Sequence, residues 1–269
     1  MDYSAVQILG IVGWLVLIFG GMLCDAALLL YLRRPLRGVH RRFRAIAHRQ
    51  VKGRHLLMVT GLFLGAHAVL STLIPTGDMG WQVIVNTLSF HWIVLLFVTA
   101  YCGVRRVPWE SLFGPTSGAA YVAGLLAYLA AVPVVLMHSA LVNSLLRLAG
   151  ITPTMQPVVE LLSKHPAPTT FIYLVLVGCV IAPAAEEIYF RGMLLPVLMR
   201  EMTPLGGVIV SSLIFAVAHM HATSAPALFV IALACSAVYI STGSLVAAFT
   251  THAVFNIVNM LLAILFLAQ

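Results

Sequence analysis

Residues 181–195 read IAPAAEEIYFRGMLL, so two adjacent carboxylates and an arginine interrupt an otherwise apolar run. The run continues on both sides, from about Thr170 to Arg200. A helix needs about 20 apolar residues to cross a bilayer, and this stretch therefore predicts a membrane-spanning helix. A charged side chain in such a helix costs about 3 kcal/mol and by default marks a site.

The composition of the whole chain indicates that lipid surrounds most of it. Its 269 residues are 61% hydrophobic and 9% charged, against roughly 45–50% apolar and about 25% charged residues in a soluble domain. The predicted fold class is therefore all-α, a polytopic membrane protein with about eight transmembrane helices. These spans lie at about residues 6–32, 56–74, 82–102, 119–148, 170–200, 206–219, 227–240 and 245–267.

The positive charge is concentrated in one loop. Nine of the 15 Lys and Arg residues lie between Arg33 and Arg54. Because basic loops stay in the cytoplasm, residues 33–55 are predicted to form a cytoplasmic loop that touches lipid head groups. With Arg105 and Arg106 on the same side, both termini lie outside. We expect an integral protein of a bacterial inner (plasma) membrane and no nucleic-acid partner.

The chain is divided into two predicted units. Residues 1–164 hold the first four transmembrane helices, and residues 165–269 form a helical core in which we expect the functional site. A short interfacial helix is expected at 157–164, where Glu160 and Lys164 are four residues apart. Other polar residues of the first unit follow no pattern, and we expect them to serve packing or hydration: Asp25, His67, His91, His138 and Asn143.

Helical geometry separates the roles of the two adjacent acids. Residues four apart share a face of a helix, whereas successive residues are about 100° apart. Glu187 and Arg191 are therefore predicted to form a structural ion pair. Glu186 points elsewhere and has Phe190 as its neighbour four residues on. Without a cation nearby in the sequence, Glu186 is the candidate general base.

Two later motifs supply partners for Glu186. FAVAHMH, which begins at Phe215, places His219 on the same face as that phenylalanine. HAVFN places His252 and Asn256 on one face of the last helix. A rise of 1.5 Å per residue brings all four polar groups to similar depths in the membrane. This coincidence favours one common site over separate contacts between helices.

Taken in order, EExxxR at Glu186, FxxxH at Phe215 and HxxxN at His252 resemble the CAAX prenyl protease 2 family. The wider group is the CPBP, or Abi, family of intramembrane proteases. The resemblance covers roughly residues 165–262 and implies an eight-helix hydrolase with a cavity in the membrane. The first half of the chain carries no motif of this family.

The resemblance also implies roles for the residues of these motifs. Glu186 and His219 would activate a water molecule. His252 and Asn256 would hold that water or stabilise the oxyanion. The remaining motif residues are expected to be structural or supporting: Glu187, Arg191 and Phe215.

Participation of a metal is left open by the sequence. Glu186, His219 and His252 form a ligand set that zinc accepts, although the chain has no HExxH motif. Asn256 is a poor zinc ligand but a good donor to an oxyanion. We favour a mechanism without a required cofactor and keep zinc, and hence a metalloprotease, as the alternative.

The predicted function is an intramembrane endopeptidase that cuts a membrane-associated protein or peptide, including C-terminally prenylated CAAX-type substrates. One alternative is a non-catalytic CPBP-fold membrane protein that serves in immunity, as a scaffold or in signalling. The intact set of polar residues argues against it. An ion or proton transporter is the other alternative. The lack of a matched pair of broken helices in the two halves of the chain argues against it. The sequence leaves the oligomeric state open.

Overall fold

The computed structural model describes residues 5–32, 39–47, 51–73, 79–164 and 167–267, which are almost entirely helical. No strand occurs within these ranges. The helices in chain order are α1 (Ala5–Leu32), α2 (Val39–Ala47), α3 (Gly53–Leu73), α4 (Met79–Arg105), α5 (Trp109–Phe113), α6 (Gly118–Leu148), α7 (Pro157–Ser163), α8 (Pro168–Glu201), α9 (Pro204–Ala218), α10 (Ala225–Thr242) and α11 (Leu245–Leu267).

Within the described residues, six helical segments are long and apolar enough to cross a membrane. They are formed by α3, most of α4, α5 with α6, α8, α10 and most of α11. Two shorter apolar helices, Leu15–Ala26 within α1 and Pro204–Ala218, lie at the first and sixth predicted spans. The prediction of an all-α polytopic membrane protein is confirmed. The orientation of the termini stays a prediction.

The segment predicted as a basic loop contains a helix, which the charge pattern did not predict. Helix α2 lies within residues 33–55, of which 33–38 and 48–50 are outside the described residues. Ile46 is buried, whereas Arg44 is exposed. This helix packs against α8 and α10, and Ile46 on its apolar side joins the hydrophobic core.

Helix α7 confirms the short helix expected between the two units. Pro157 begins it, in the position where a missing N–H is tolerated. Glu160 Oε1 accepts from Lys164 Nζ over 2.7 Å, and both side chains are exposed. The pair therefore lies on the surface of the helix, as its spacing predicts.

Helix α8 contains two widened turns of π geometry, at Val177–Ile181 and Ile188–Leu194. The residue two places after each turn is a proline, Pro183 and Pro196 respectively. A proline ring clashes with the carbonyl four residues earlier and brings no N–H, and a wider turn makes room for it. The two turns enclose Ala182–Glu187 and thereby set the directions of its two carboxylates.

Helix α9 is held close to the end of α8. A Cβ atom at Gly207 would lie 2.7 Å from the backbone nitrogen of Met199, so only glycine permits this approach. Thr203 Oγ1 accepts from the Gly206 backbone N–H over 3.1 Å and caps the start of α9. The register of α9 against α8 fixes the position of His219, which follows the last residue of α9.

Helices of the two predicted units share one hydrophobic core. Helix α6 packs against α1, α10 and α11, and α4 packs against α8. Gly124 of α6 lies against Ala247 and Thr250 of α11, too close for a side chain. The proposed boundary at residue 164 stays a prediction, but the helices before it help to enclose the site.

Candidate active site

Three of the four predicted catalytic side chains meet inside the bundle. Glu186 Oε2 lies 3.7 Å from His219 Nε2 and 3.8 Å from His252 Nε2. The exposed fractions of the side chains are 13% for Glu186, 26% for His219 and 2% for His252. The carboxylate from α8 therefore faces imidazoles that follow α9 and project from α11, and His219 forms the most open side of the group.

The hydrogen bonds of the two imidazoles fix their tautomers. His219 Nδ1 lies 2.8 Å from the Phe215 carbonyl oxygen, which only accepts, so Nδ1 carries a hydrogen. His252 Nδ1 lies 2.9 Å from Glu187 Oε1, which already accepts from Arg191. Each neutral ring then presents a bare Nε2 lone pair. Both lone pairs face the carboxylate of Glu186.

Three acceptor atoms thus surround a small space. Glu186 Oε2 is buried and has no hydrogen-bond partner among the described residues. A buried acceptor without a donor carries a free-energy cost of about 1–3 kcal/mol. Oε2 and the Nε2 atoms of His219 and His252 have no hydrogen to offer one another. A molecule that brings its own hydrogens, such as water, satisfies this arrangement.

The predicted ion pair between Glu187 and Arg191 is present and buried. Arg191 Nη1 donates to Glu187 Oε1 over 2.8 Å, and both side chains are 1% exposed. Arg191 Nη2 also donates to the Ala232 carbonyl on α10. Because Glu187 Oε1 also accepts from His252 Nδ1, the ion pair holds that imidazole in place. The two adjacent acids therefore have different partners.

Phe215 supports the group through its ring. The ring is fully buried, and its centroid lies 4.7 Å from that of His219 and 5.4 Å from that of His252. The guanidinium carbon of Arg191 lies 4.9 Å from the same centroid, which is a cation–π contact. Phe215 thus packs against both histidines of the site and against the arginine of the ion pair.

Asn256 is attached to α8 at a different level. The Ala182 N–H bonds the Val177 carbonyl in the widened turn, and Pro183 has no N–H. The Gly178 carbonyl oxygen would accept from the N–H of residue 182 in a regular turn or of residue 183 in a widened turn. Neither N–H is available to it. Asn256 Nδ2 donates to it instead over 2.7 Å. No hydrogen bond joins Asn256 to the three grouped side chains within the described ranges, and its second amide hydrogen remains for another acceptor.

Residues 168–258 match a protein-family model described as Rce1-like, type II CAAX prenyl endopeptidase. The chain carries an Rce1-like domain. The matched segment begins with α8 and includes every predicted site residue, so the family recognised from the motifs is confirmed. This domain match supports a CAAX-type intramembrane protease as the kind of function. No curated protein and no solved structure matches the chain.

One residue at the site was missed by the sequence analysis and lies outside the Rce1-like domain. His91 of α4, expected to serve packing, lies with Nε2 3.0 Å from Glu186 Oε1. The general rule that a titratable residue inside a span is a candidate site residue applies to His91 as it does to Glu186. No spacing rule relates α4 to α8, however, so the sequence did not show which histidine of the first half reaches the carboxylate.

The zinc alternative requires Glu186, His219 and His252 to lie at the spacing of ligands around one metal ion. Two ligands of a tetrahedral zinc ion, each about 2.0–2.1 Å from the metal, lie about 3.4 Å apart. Glu186 Oε2 is farther than this from both Nε2 atoms, at 3.7 and 3.8 Å. No group of three or more His, Cys, Asp or Glu side chains in the described part of the chain is arranged to hold a metal ion. The spacing in this structure is therefore wider than that of an ideal tetrahedral zinc site, and no reaction step is assigned to zinc.

Proposed function

We propose that this protein is an intramembrane endopeptidase that uses water activated by Glu186 to hydrolyse a peptide bond in a membrane-associated protein or peptide. The observation that carries the proposal is the close approach of three hydrogen-bond acceptors. The Nε2 atoms of His219 and His252 both lie within 3.8 Å of Glu186 Oε2. The Rce1-like domain supports the same kind of chemistry.

The three acceptors suit a water molecule in a reactive orientation. Water donates two hydrogens, so two of the acceptors bind it and its oxygen lone pairs stay free to attack. In the first step the water oxygen bonds to the peptide carbonyl carbon while one water proton moves to Glu186 Oε2. The C–N bond then breaks, and that proton passes to the departing amine. The products are an amine and a carboxylic acid, and the acid then releases the second water proton to become a carboxylate. A positioned base of this kind contributes about 10²–10⁴-fold to the rate.

The two imidazoles and the amide have supporting roles in this proposal. His219 and His252 orient the water through their Nε2 atoms. The oxyanion of the tetrahedral intermediate needs donors, and the second amide hydrogen of Asn256 is the candidate suggested by the family resemblance. Its bond to Gly178 restrains the amide. The ion pair of Glu187 and Arg191 keeps the Nε2 atom of His252 free of hydrogen.

The surroundings of His219 support a substrate that arrives from the lipid. His219 is the most exposed of the three grouped side chains, at 26%. Val217 and Met220, close to it in the chain, are 59% and 88% exposed. An apolar approach of this kind suits a lipid-modified or membrane-embedded segment. C-terminally prenylated CAAX-type substrates belong to this class.

Comparative membrane proteomics tests the proposal and identifies the substrate in the same experiment. Cells that produce the wild-type chain are compared with cells that produce Glu186→Gln. Glu160→Gln is the matched control, because Glu160 lies in an exposed surface pair. We expect at least one membrane-associated protein to accumulate uncut only with Glu186→Gln. Identical cleavage products in all three strains would overturn the proposal.

A purified-protein assay then tests the prenyl part of the substrate class. The wild-type protein in liposomes is given a synthetic CAAX peptide with a farnesylated cysteine and the same peptide with a free cysteine. Faster cleavage of the farnesylated peptide is expected for a prenyl endopeptidase. Equal cleavage, or cleavage only of the substrate found in cells, would restrict the function to an intramembrane endopeptidase without prenyl specificity.

A further inference from the structure

We propose that His91 is a positioning residue that binds one oxygen of the Glu186 carboxylate and thereby turns the other oxygen toward the water. This inference rests on the proposed function and adds to it a residue from the first half of the chain. His91 lies on α4, outside the segment that matches the Rce1-like model. The catalytic group of this protein would then depend on both halves.

The contact between His91 and Glu186 is the shortest that the carboxylate of Glu186 makes with the three histidines. His91 Nε2 lies 3.0 Å from Glu186 Oε1, whereas the other two histidines lie 3.7 and 3.8 Å from Oε2. Only the first distance is a hydrogen bond. The two oxygens of the carboxylate therefore have different tasks, one bound to the protein and one directed at the group of acceptors.

The other nitrogen of His91 shows that the contact contains an extra proton. Nδ1 lies 2.6 Å from the Thr87 carbonyl oxygen, four residues earlier on the same helix. A carbonyl only accepts, so Nδ1 carries a hydrogen and a neutral ring has none on Nε2. A hydrogen bond between His91 Nε2 and Glu186 Oε1 then requires one further proton, carried either by the imidazole or by the carboxyl group. With an ionised Glu186, that proton is on the ring, and His91 is the counter-charge of the catalytic carboxylate.

The surroundings of His91 hold the ring in one orientation. The side chain is 8% exposed, and the Phe90 ring lies at 88° to it with centroids 5.4 Å apart. The bond to Thr87 fixes the rotation of the imidazole. A ring fixed at both nitrogens holds its bound carboxylate in one orientation more firmly than a flexible donor on the surface does.

Two substitutions at His91 separate positioning from packing. Glutamine places its amide group at about the position of Nε2 and either donates to or accepts from Glu186. Leucine fills similar space without any hydrogen bond. His138→Leu is the matched control, because His138 also lies inside a helix and binds the carbonyl oxygen of residue 134 through Nδ1. Among the described residues, no contact joins His138 to Glu186, His219 or His252.

The test measures the cut fraction of the substrate that accumulates in Glu186→Gln cells, by pulse-chase in cells that carry each variant. His91→Leu is expected to slow cleavage about 10- to 100-fold, as for the loss of a hydrogen bond to a charged group. His91→Gln is expected to cleave faster than His91→Leu because its amide still donates a hydrogen bond to Glu186, and His138→Leu is expected to match wild type. Membrane levels of each variant are measured in parallel.

The outcomes distinguish this inference from the proposed function. If Glu186→Gln blocks cleavage but His91→Leu cuts as fast as wild type, the role of His91 is overturned and the peptidase stands. If leucine and glutamine at position 91 slow cleavage equally at normal protein levels, His91 acts through packing, and positioning is again overturned. If Glu186→Gln leaves every substrate cut, the proposed function fails and the role of His91 fails with it.

Discussion

Glu186 and Glu187 are neighbours in the chain, and the imidazole of His252 lies between their carboxylates. The Nδ1 atom of His252 is 2.9 Å from Glu187 Oε1, and its Nε2 atom is 3.8 Å from Glu186 Oε2. Glu187 is neutralised by Arg191, whereas Glu186 faces histidines. A single ring thus connects a structural ion pair with the candidate catalytic carboxylate, and substitutions can probe the two sides separately.

The ion pair of Glu187 and Arg191 is expected to be essential for stability. Arg191→Met leaves a buried carboxylate without its cation, which costs about 3–5 kcal/mol. Lys164→Met breaks the exposed pair with Glu160, which has the same spacing, and should cost about 1 kcal/mol or less. Thermal unfolding in detergent measures both variants. Equal shifts of the unfolding midpoint would show that the buried pair has no special role.

The two histidines at Glu186 Oε2 are expected to differ in their effect on folding. His252→Ala removes a donor to Glu187 from a fully enclosed position and should lower the free energy of unfolding by about 1–3 kcal/mol. His219→Ala lies at the more open side, 26% exposed, and should lower it by less. Both should reduce cleavage. A stable, active His252→Ala protein would contradict the arrangement.

The close approach of α8 and α9 is expected to control the position of His219. Gly207→Ala places a methyl group against the backbone of Met199, so α9 must shift and cleavage and stability should both fall. Gly61→Ala is the control, because a Cβ atom at Gly61 meets nothing within 4 Å. The control should be neutral or stabilise the helix by up to about 1 kcal/mol. Unchanged cleavage by Gly207→Ala would mean that the register of α9 does not matter.

Removal of metal ions is expected to leave the activity intact. The protein is purified, treated with a chelator and measured both for metal content and for cleavage of its substrate. Full cleavage without bound metal agrees with water held by Glu186, His219 and His252. Zinc at one ion per chain, with activity lost on chelation and restored by zinc, would show that the side chains move together around a metal.

Much of the fold could be predicted from the sequence because bilayer burial leaves a strong apolar signal. The predicted fifth span, 170–200, agrees closely with Pro168–Glu201. The pair of Glu187 and Arg191 could be predicted because its geometry lies within one helix. In these cases the structure follows from local spacing and apolar length.

The remaining features depend on contacts between distant segments. His91 binds Glu186, which is 95 residues away in the chain. Asn256 donates a hydrogen bond to the Gly178 carbonyl oxygen, which Pro183 leaves without a backbone donor. Pro183 and Pro196 are visible in the sequence of α8, but the sequence alone does not show that two widened turns keep the helix continuous. Helix α2 was missed because its nine residues lie in a strongly basic segment.

The most direct measurement is the cleavage rate of the substrate found in cells, with purified wild-type protein and purified Glu186→Gln in the same liposomes. Glutamine keeps the size of the side chain but cannot take a proton from water. The rate should fall about 10²–10⁴-fold while the unfolding midpoint stays close to that of wild type. A folded Glu186→Gln protein that cuts at the wild-type rate would contradict the central claim that this carboxylate activates the water.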